Sequence, residues 1–335
     1  MAVENKKGAT MKNNESFVIP LISADLPFVN GNPEVLRNII GQTEARKKLS
    51  FFIESHSPKT PFPTMLFTGS QGLGKTYMAQ KIADSLGREL VEINCGTIIN
   101  IDRFVEDILL GRILGDKPKT ILLDECHNLP PDVVTNLLTV LNPNIDNANN
   151  LSYKNYYFAY DFSKINTILA TTDAHRVFRP LLNRCVEIYF SLYSQEDLYL
   201  ILQHYLPDIN IVCDLEDLAD ACRGRARDAF LLSQNIRRYC VMTNSNTFDN
   251  NGWNKVKEIF GIHPRGLYGH EIKLLKILEK SSPISAANLA IRLGVNTNNV
   301  EGELEIRMRE LGFIESGTRG RSLTEDGKKY LDILA

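Results

Sequence analysis

The 335-residue chain contains no uncharged apolar run approaching the roughly 18 residues a membrane helix needs, and its start, Met1-Ala2-Val3-Glu4-Asn5-Lys6-Lys7, lacks the apolar core of a signal peptide. Both absences point to a cytoplasmic protein with no membrane partner. Cysteine is sparse: six residues (95, 126, 185, 213, 222 and 240), none in a C-x-x-C pair and most inside apolar runs. That pattern argues for buried, reduced thiols and against zinc or disulfides. An excess of charge of one sign is also missing. A formal net charge of −2 excludes a general polycation, so any nucleic-acid contact must be local. The hydrophobic fraction of 43% and charged fraction of 23% are those of a soluble globular protein, and the length suggests two or three domains.

What the chain does have is one informative stretch, Gly69-Ser70-Gln71-Gly72-Leu73-Gly74-Lys75-Thr76. It fits the phosphate-cradling pattern G-x-x-x-x-G-K-[ST]. An apolar strand, Met65-Leu66-Phe67, enters it, and a helical face of Met78, Ala79, Ile82, Ala83 and Leu86 leaves it and stops at Gly87. Glycines let successive N–H groups point at phosphate oxygens. Lys75 adds a charge for the outer phosphates, and the Thr76 hydroxyl is placed to hold Mg²⁺. A nucleoside triphosphate with Mg²⁺ is therefore the expected ligand. Downstream, Thr120-Ile121-Leu122-Leu123-Asp124-Glu125 reads as a strand ending in two carboxylates. Asp124 would serve the metal through water, and Glu125 would polarise the attacking water.

The surrounding pattern supports this placement. Further strands are expected at Leu90–Asn94 and Asn166–Thr172, with helices over 101–115 and from Pro131 through Leu141. Alternating strand and helix predicts an α/β fold with a parallel sheet, its ligand at the strands' carboxyl ends. Asn144–Asn150 reads as a turn, and the six aromatics between Tyr153 and Phe162 as hairpin strands. Those aromatics could pack the hairpin onto its own sheet or face a partner; both readings stay open. Residues 194–262 read as helical, with Leu215, Leu218, Ala219 and Cys222 on one face and a polar linker at Asn244–Gly252. From Leu267 the chain reads as three helices, the second capped by Ser285 and the third opened by Asn298-x-x-Glu301. A hairpin with the basic tip Ser316–Arg321 follows, which is the layout of a winged helix. Arg319 and Arg321, beside two glycines, suit close approach to the phosphate backbone or the minor groove of DNA. The expected domains are a partly disordered tail (1–32), a nucleotide domain (33–193), a helical lid (194–262) and a winged helix (263–335).

Together these landmarks resemble AAA+ ATPases and, among them, the RuvB family of Holliday-junction branch-migration motors. The marks are Ile40-Gly41-Gln42, Gly72-Leu73-Gly74-Lys75-Thr76, Asp124-Glu125-Cys126-His127, Ala170-Thr171-Thr172, Pro180-Leu181-x-x-Arg184, Arg227 in the lid and Thr318-Arg319-Gly320-Arg321 in the wing. The resemblance implies an AAA+ P-loop sheet with a helical lid and a C-terminal winged helix. It also implies nucleotide contacts from Ile40, Gly72, Gly74 and Tyr77, and catalytic roles for Lys75, Asp124, Glu125 and Thr172, the last as the γ-phosphate sensor. Arg184 would be an arginine finger acting in a neighbouring subunit, and Arg227 the lid arginine. The implied unit is a homo-hexamer on double-stranded DNA or a four-way junction, with a RuvA-like partner at hairpin 144–163. The sequence departs from the family in having Ser70 and Gln71 where prolines are usual, Leu182 for an arginine, and Gly224-Arg225-Ala226-Arg227 for Gly-Thr-Pro-Arg. Arg184-Cys185 also resembles the finger of clamp-loader subunits, so a loader or scaffold that grips a protein partner is the alternative.

Overall fold

The computed structural model describes residues 34–57, 60–113, 117–141, 148–153, 156–161 and 164–334. The expected N-terminal tail and Asn144–Asn147 of the expected turn lie outside them. The chain forms two compact units. One runs to Asp197 and includes Arg225–Arg227; the other comprises Leu198–Gly224 and the residues from Asp228 onward.

The first unit is built on a five-stranded parallel sheet. Its strands are β1 (Met65–Thr68), β2 (Glu89–Asn94), β3 (Lys119–Asp124), β6 (Ile165–Thr171) and β7 (Val186–Tyr189), in the order β2-β3-β6-β1-β7. Side chains alternate between faces along a strand, and both faces here are apolar. Leu66, Leu123 and Leu169 join one buried cluster, while Met65, Phe67, Leu122, Ile168 and Ala170 join the other. The Thr43–Glu54 and Lys75–Ser85 helices cover the second face through Ala45, Leu49, Ile53, Met78, Ala79 and Ile82. Helix 101–113 differs from the expected winding. After Ile101–Arg103 it widens into a π-helical run, Phe104–Ile113. The five-residue steps Phe104 to Leu109 and Ile108 to Ile113 join buried residues, so the wider winding keeps one face on the sheet. A separate antiparallel hairpin pairs β4 (Ala148–Tyr153) with β5 (Tyr156–Asp161). Ala148, Asn149 and Asn150, expected in a turn, are therefore strand: pairing with Asp161, Tyr160 and Ala159 overrides the weak strand preference of asparagine.

The second unit is mainly helical, but it contains short strands the sequence does not reveal. Asn210–Ile211 pairs in parallel with Thr247–Phe248, inside the stretch expected to be a linker, and Asp249 caps a helix over Asn250–Phe260 by accepting from the Gly252 N–H at 2.8 Å. Trp253 of that helix donates through Nε1 to Asp217 at 2.9 Å, and Lys257 reaches the same carboxylate oxygen at 2.6 Å. Leu218, Ala219 and Cys222 are buried as expected, whereas Leu215, in the first turn after its cap, is 41% exposed. In the C-terminal region the first helix is Gly269–Ser281, with Leu267–Tyr268 forming a strand before it. The second is Ala286–Leu293, capped by Ser285. The third is opened by Asn296, which accepts from the Asn299 N–H at 2.8 Å, and not by Asn298. It passes through a π turn, Val300–Leu304, into Glu305–Glu310. The wing pairs Ile314–Gly317 with Gly320–Leu323, and a further helix, Glu325–Leu334, closes the core by stacking Tyr330 on Phe313 at 4.7 Å. No helix among the described residues is long and apolar enough to cross a membrane.

Phe248 is fully buried and meets Tyr239 edge-on at 5.8 Å. Phe248→Ala should cost about 3–5 kcal/mol. Urea unfolding followed by the fluorescence of Trp253, the chain's only tryptophan, should show a midpoint lowered by about 1 M or more. An unchanged midpoint would contradict this packing.

Candidate active site

The register of the central strands decides where the chemistry-bearing residues meet. Thr68 lies opposite Thr171 across β1 and β6, and Leu123 lies opposite Leu169 across β3 and β6. The loop after β1, the carboxylates at the end of β3 and the threonines at the end of β6 therefore emerge side by side on one edge of the sheet. The phosphate loop turns at Gly72 (φ 81°) and Gly74 (φ 91°), and the helix begins at Lys75. A Cβ on Gly72 would lie 3.1 Å from the Arg227 Cβ. The backbone N–H of Arg227 donates to the Gly72 carbonyl at 3.2 Å. Lys75 is buried, and its ammonium donates to the carbonyls of Gly69 (2.6 Å) and Ser70 (2.9 Å). First-turn N–H groups and left-handed glycines in one loop are suited to an anion of high charge.

The acidic pair is equally constrained. Glu125 takes a left-handed backbone conformation (φ 52°), and its N–H donates to Asp124 Oδ1 at 3.0 Å. Glu125 Oε2 accepts from the Thr172 hydroxyl (2.9 Å) and N–H (3.2 Å), and His127 Nδ1 lies 3.3 Å away. His127 Nδ1 also bonds the Thr171 hydroxyl at 2.8 Å. Burial pushes the Asp124 carboxyl above the usual carboxylate range and the neighbouring Glu125 adds to the shift, with Lys75 and Arg227 opposing. Burial pulls the Lys75 ammonium down against the opposing pull of Glu125 and Asp124, while Arg227 adds to the lowering. Lys75, Asp124, Glu125 and Arg227 thus share one electrostatic site. Behind it, buried Cys126 has its thiol pushed up to about 12, so it is an inert packing residue.

Two side chains support this arrangement, Gln42 from the Ile40-Gly41-Gln42 mark and Tyr193, which carries no sequence signal of its own. The Gln42 side chain clamps the Ser191 backbone from both sides, donating to its carbonyl at 2.8 Å and accepting from its N–H at 3.2 Å. Tyr193 donates its hydroxyl to the Leu73 carbonyl in the phosphate loop at 3.1 Å, and its ring abuts Gly41, where a Cβ would lie 2.6 Å away. Tyr193 follows β7 and reaches the loop only because β7 lies beside β1. Ile40 is half-buried next to this clamp. Tyr77 is exposed on the first turn of the Lys75–Ser85 helix, with the Lys81 ammonium 5.4 Å from its ring centre. Arg184 is placed elsewhere. It precedes Val186, which pairs with Met65 at the start of β1, so it lies at the amino edge of the sheet, opposite the phosphate loop. There it is half-buried and donates through Nη1 to the Pro180 carbonyl at 2.8 Å.

In the second unit the wing separates its two arginines. Arg319 is exposed at the tip. Arg321, expected to touch DNA beside it, is instead committed to the domain: Nε donates to Glu305 at 2.6 Å and Nη2 to Glu301 at 2.8 Å. The cause is burial of Glu305, a fully enclosed carboxylate that needs a cation and also takes Arg309.

Comparison with known proteins places both units. Residues 65–192 match the ATPase family associated with various cellular activities (AAA), and residues 264–332 match the RuvB C-terminal winged helix domain. The Holliday junction branch migration complex subunit RuvB of Prochlorococcus marinus is 28% identical over 327 residues, covering 95% of this chain and 92% of the relative. That of Fervidobacterium nodosum is 27% identical over 308 residues, covering 89% and 88%. The solved Thermotoga maritima RuvB branch-migration motor shares the fold, with a TM-score of 0.73 at 24% identity over 89% of this chain and 98% of that one.

Gly72→Ala would force a side chain into left-handed backbone and press a methyl onto Arg227. The strain is on the order of 1–2 kcal/mol, so the affinity for a fluorescent ATP analogue should fall about tenfold or more. Unchanged affinity would show that the loop relaxes freely.

Proposed function

We infer that this chain, an AAA ATPase joined to a RuvB-type winged helix and so a divergent relative of the RuvB family, couples ATP hydrolysis to movement of duplex DNA, with branch migration of four-way junctions as its specific form. One observation carries the reading: the phosphate loop, Asp124, Glu125 and Thr172 converge at one sheet edge in a chain that also bears the winged helix.

The residues divide the work by position. Lys75, detached from its loop carbonyls, neutralises the outer phosphates, and the glycine-turned N–H groups hold the rest. Thr76 and Asp124 supply hard oxygen donors of the kind Mg²⁺ takes alongside phosphate oxygens, and the metal would neutralise charge on the transferred group. Glu125 has one oxygen fixed by Thr172, which leaves Oε1 to accept a proton from the attacking water. Thr172 thereby positions the base and senses the γ-phosphate. Ile40 and Tyr77 flank the nucleotide, and Arg227 reports on it from the lid. Arg184, on the sheet edge away from its own loop, is suited to serve a neighbouring subunit, which makes the active unit a ring, read here as a hexamer. The β4–β5 hairpin, outside the main sheet, is the place for a RuvA-like partner. At the wing, Arg319 is the DNA contact.

The test is steady-state ATP hydrolysis with no DNA, with linear duplex and with a synthetic four-way junction, together with junction dissociation. DNA should stimulate turnover and the junction should be resolved into duplexes. Turnover indifferent to all DNA would favour the loader or scaffold. Arg184→Ala should bind ATP normally yet lose roughly 10³-fold in turnover. Normal turnover would refute its action in trans.

The carboxylate pair gives a pH prediction. Asp124 is raised partly by Glu125, so in wild type it protonates, and loses Mg²⁺-dependent nucleotide binding, at higher pH than an ordinary aspartate would. Glu125→Gln removes that repulsion. As pH falls from about 7 toward 5, the variant should retain Mg²⁺-dependent binding further than wild type, while turnover drops 10²- to 10⁴-fold. Identical binding profiles would show that Glu125 does not set the Asp124 titration.

A further inference from the structure

Arg321 is withdrawn into the winged helix, so the domain's remaining cations decide how it can hold DNA. Residues 264–335 contain eleven Lys and Arg against ten Asp and Glu, which reads as neutral, but the charges are not mixed evenly. Arg265, Arg307, Arg309, Arg321, Lys328 and Lys329 each pair with a carboxylate, Asp220, Glu310, Glu305, Glu305 with Glu301, Glu325 and Asp326 respectively. The remaining five are Arg319 and a group of four: Lys273, Lys276, Lys280 and Arg292. All four are exposed, form no ion pair among the described residues, and line a single groove of about 450 Å³ in which no carboxylate takes part.

The groove runs along the Gly269–Ser281 helix. Lys273, Lys276 and Lys280 fall at i, i+3 and i+7, one face of the helix, and at a rise of 1.5 Å per residue they form a row roughly 10 Å long. Glu279, the exposed acid of the same helix, does not line it. Arg292 enters from the next helix and is oriented by donating through Nη1 to Ser281 Oγ at 2.7 Å. The row is continuous with the wing. Just after Ser281, the Ile284 N–H donates to the Arg321 carbonyl at 3.0 Å, the Arg321 N–H returns to Ile284 at 2.8 Å, and the Leu323 N–H donates to Ser282 Oγ at 3.1 Å.

We propose that this groove is a second DNA site, in which Lys273, Lys276, Lys280 and Arg292 grip successive phosphates of one strand while Arg319 at the wing touches the same duplex. It rests on the DNA-motor reading above and adds where the grip lies. Lysines on flexible stems, with no counter-charge to displace and no base-reading partner, suit the phosphate backbone without sequence preference. A motor that advances along DNA needs such a hold, because a sequence-specific contact would stall it.

The experiment is fluorescence anisotropy of labelled linear duplex and four-way junction with the full chain, from about 50 to about 200 mM salt. The triple variant Lys273→Ala/Lys276→Ala/Lys280→Ala should bind both DNAs about tenfold or more weakly at low salt. Its plot of log affinity against log salt should be shallower by about 2 to 3, the number of phosphate contacts removed. Because the positions are exposed, DNA-free ATP hydrolysis and melting temperature should match wild type. If affinity and slope are unchanged in the triple variant while Arg319→Ala abolishes binding, the groove proposal is overturned and the motor reading stands. If wild type binds neither DNA at any salt, the motor reading fails and takes the groove with it. Labelled poly-glutamate bound by wild type but not by the triple variant, with DNA affinity intact, would overturn the proposal in favour of an acidic protein segment.

Discussion

The parallel pairing of β1, β6 and β3 is the constraint on which the rest of the molecule depends. Both sheet faces are buried, so a one-residue slip in any of these strands would turn its leucines from one apolar cluster to the other and expose the mismatch at once. The register is therefore tightly held, and so is the relative position of the three strand ends. The phosphate loop, Asp124 with Glu125, and Thr171 with Thr172 are brought together by the backbone pairing of the strands that carry them. Such a frame can tolerate local strain, and it does: Glu125 sits in left-handed backbone, a conformation that costs about 1–3 kcal/mol and aims its carboxylate at Thr172. Gln42 and Tyr193 brace the opposite side by holding the backbone after β7 and the phosphate loop itself.

A different physical rule organises the second unit. Two carboxylates, Glu271 and Glu305, are almost wholly enclosed, and each is matched by an arginine: Glu271 by Arg223, Glu305 by Arg309 and Arg321. An enclosed charge without a partner would be strongly destabilising, so these arginines are structural and unavailable to a ligand. Arg223, the partner of Glu271, stands four residues before Arg227, whose backbone N–H donates to the Gly72 carbonyl. Pairing within the domain removes most of its cations from play and leaves a segregated remainder. Net charge thus understates what the surface can hold, because neutrality here is the sum of satisfied pairs and one unsatisfied row.

The elements legible in advance were those with a strong local period or a chemically specific spacing. The phosphate loop, the strand ending in Asp124 and Glu125, the helix of Met78, Ile82 and Ala83, and the winged-helix order all follow from residues close together in the chain. The stretches that depart from their local pattern are those whose structure depends on a distant partner. Asn149 and Asn150 became strand because Tyr160 and Ala159 pair with them. Phe248 lies in a polar stretch but is buried because Ile211 lies beside it. The helix Glu325–Leu334 leaves little trace in the sequence, because its Tyr330 finds its place only against Phe313.

The α/β nucleotide domain, with its phosphate-loop motif and the carboxylates Asp124 and Glu125 at a strand end, and the winged helix can be read from the chain alone, since each rests on residues close together in the sequence. Which charges are free to act follows instead from the packing of the folded chain. Arg319 and Arg321 look equivalent in the chain, yet burial of Glu305 draws Arg321 inward and leaves Arg319 in solvent. Lys273, Lys276 and Lys280 look like an ordinary solvated helix face until the packing shows that the domain's other cations, Arg292 and Arg319 apart, are already paired. The availability of a charge depends on what is packed against it, and burial depends on contacts between residues that are distant in the chain.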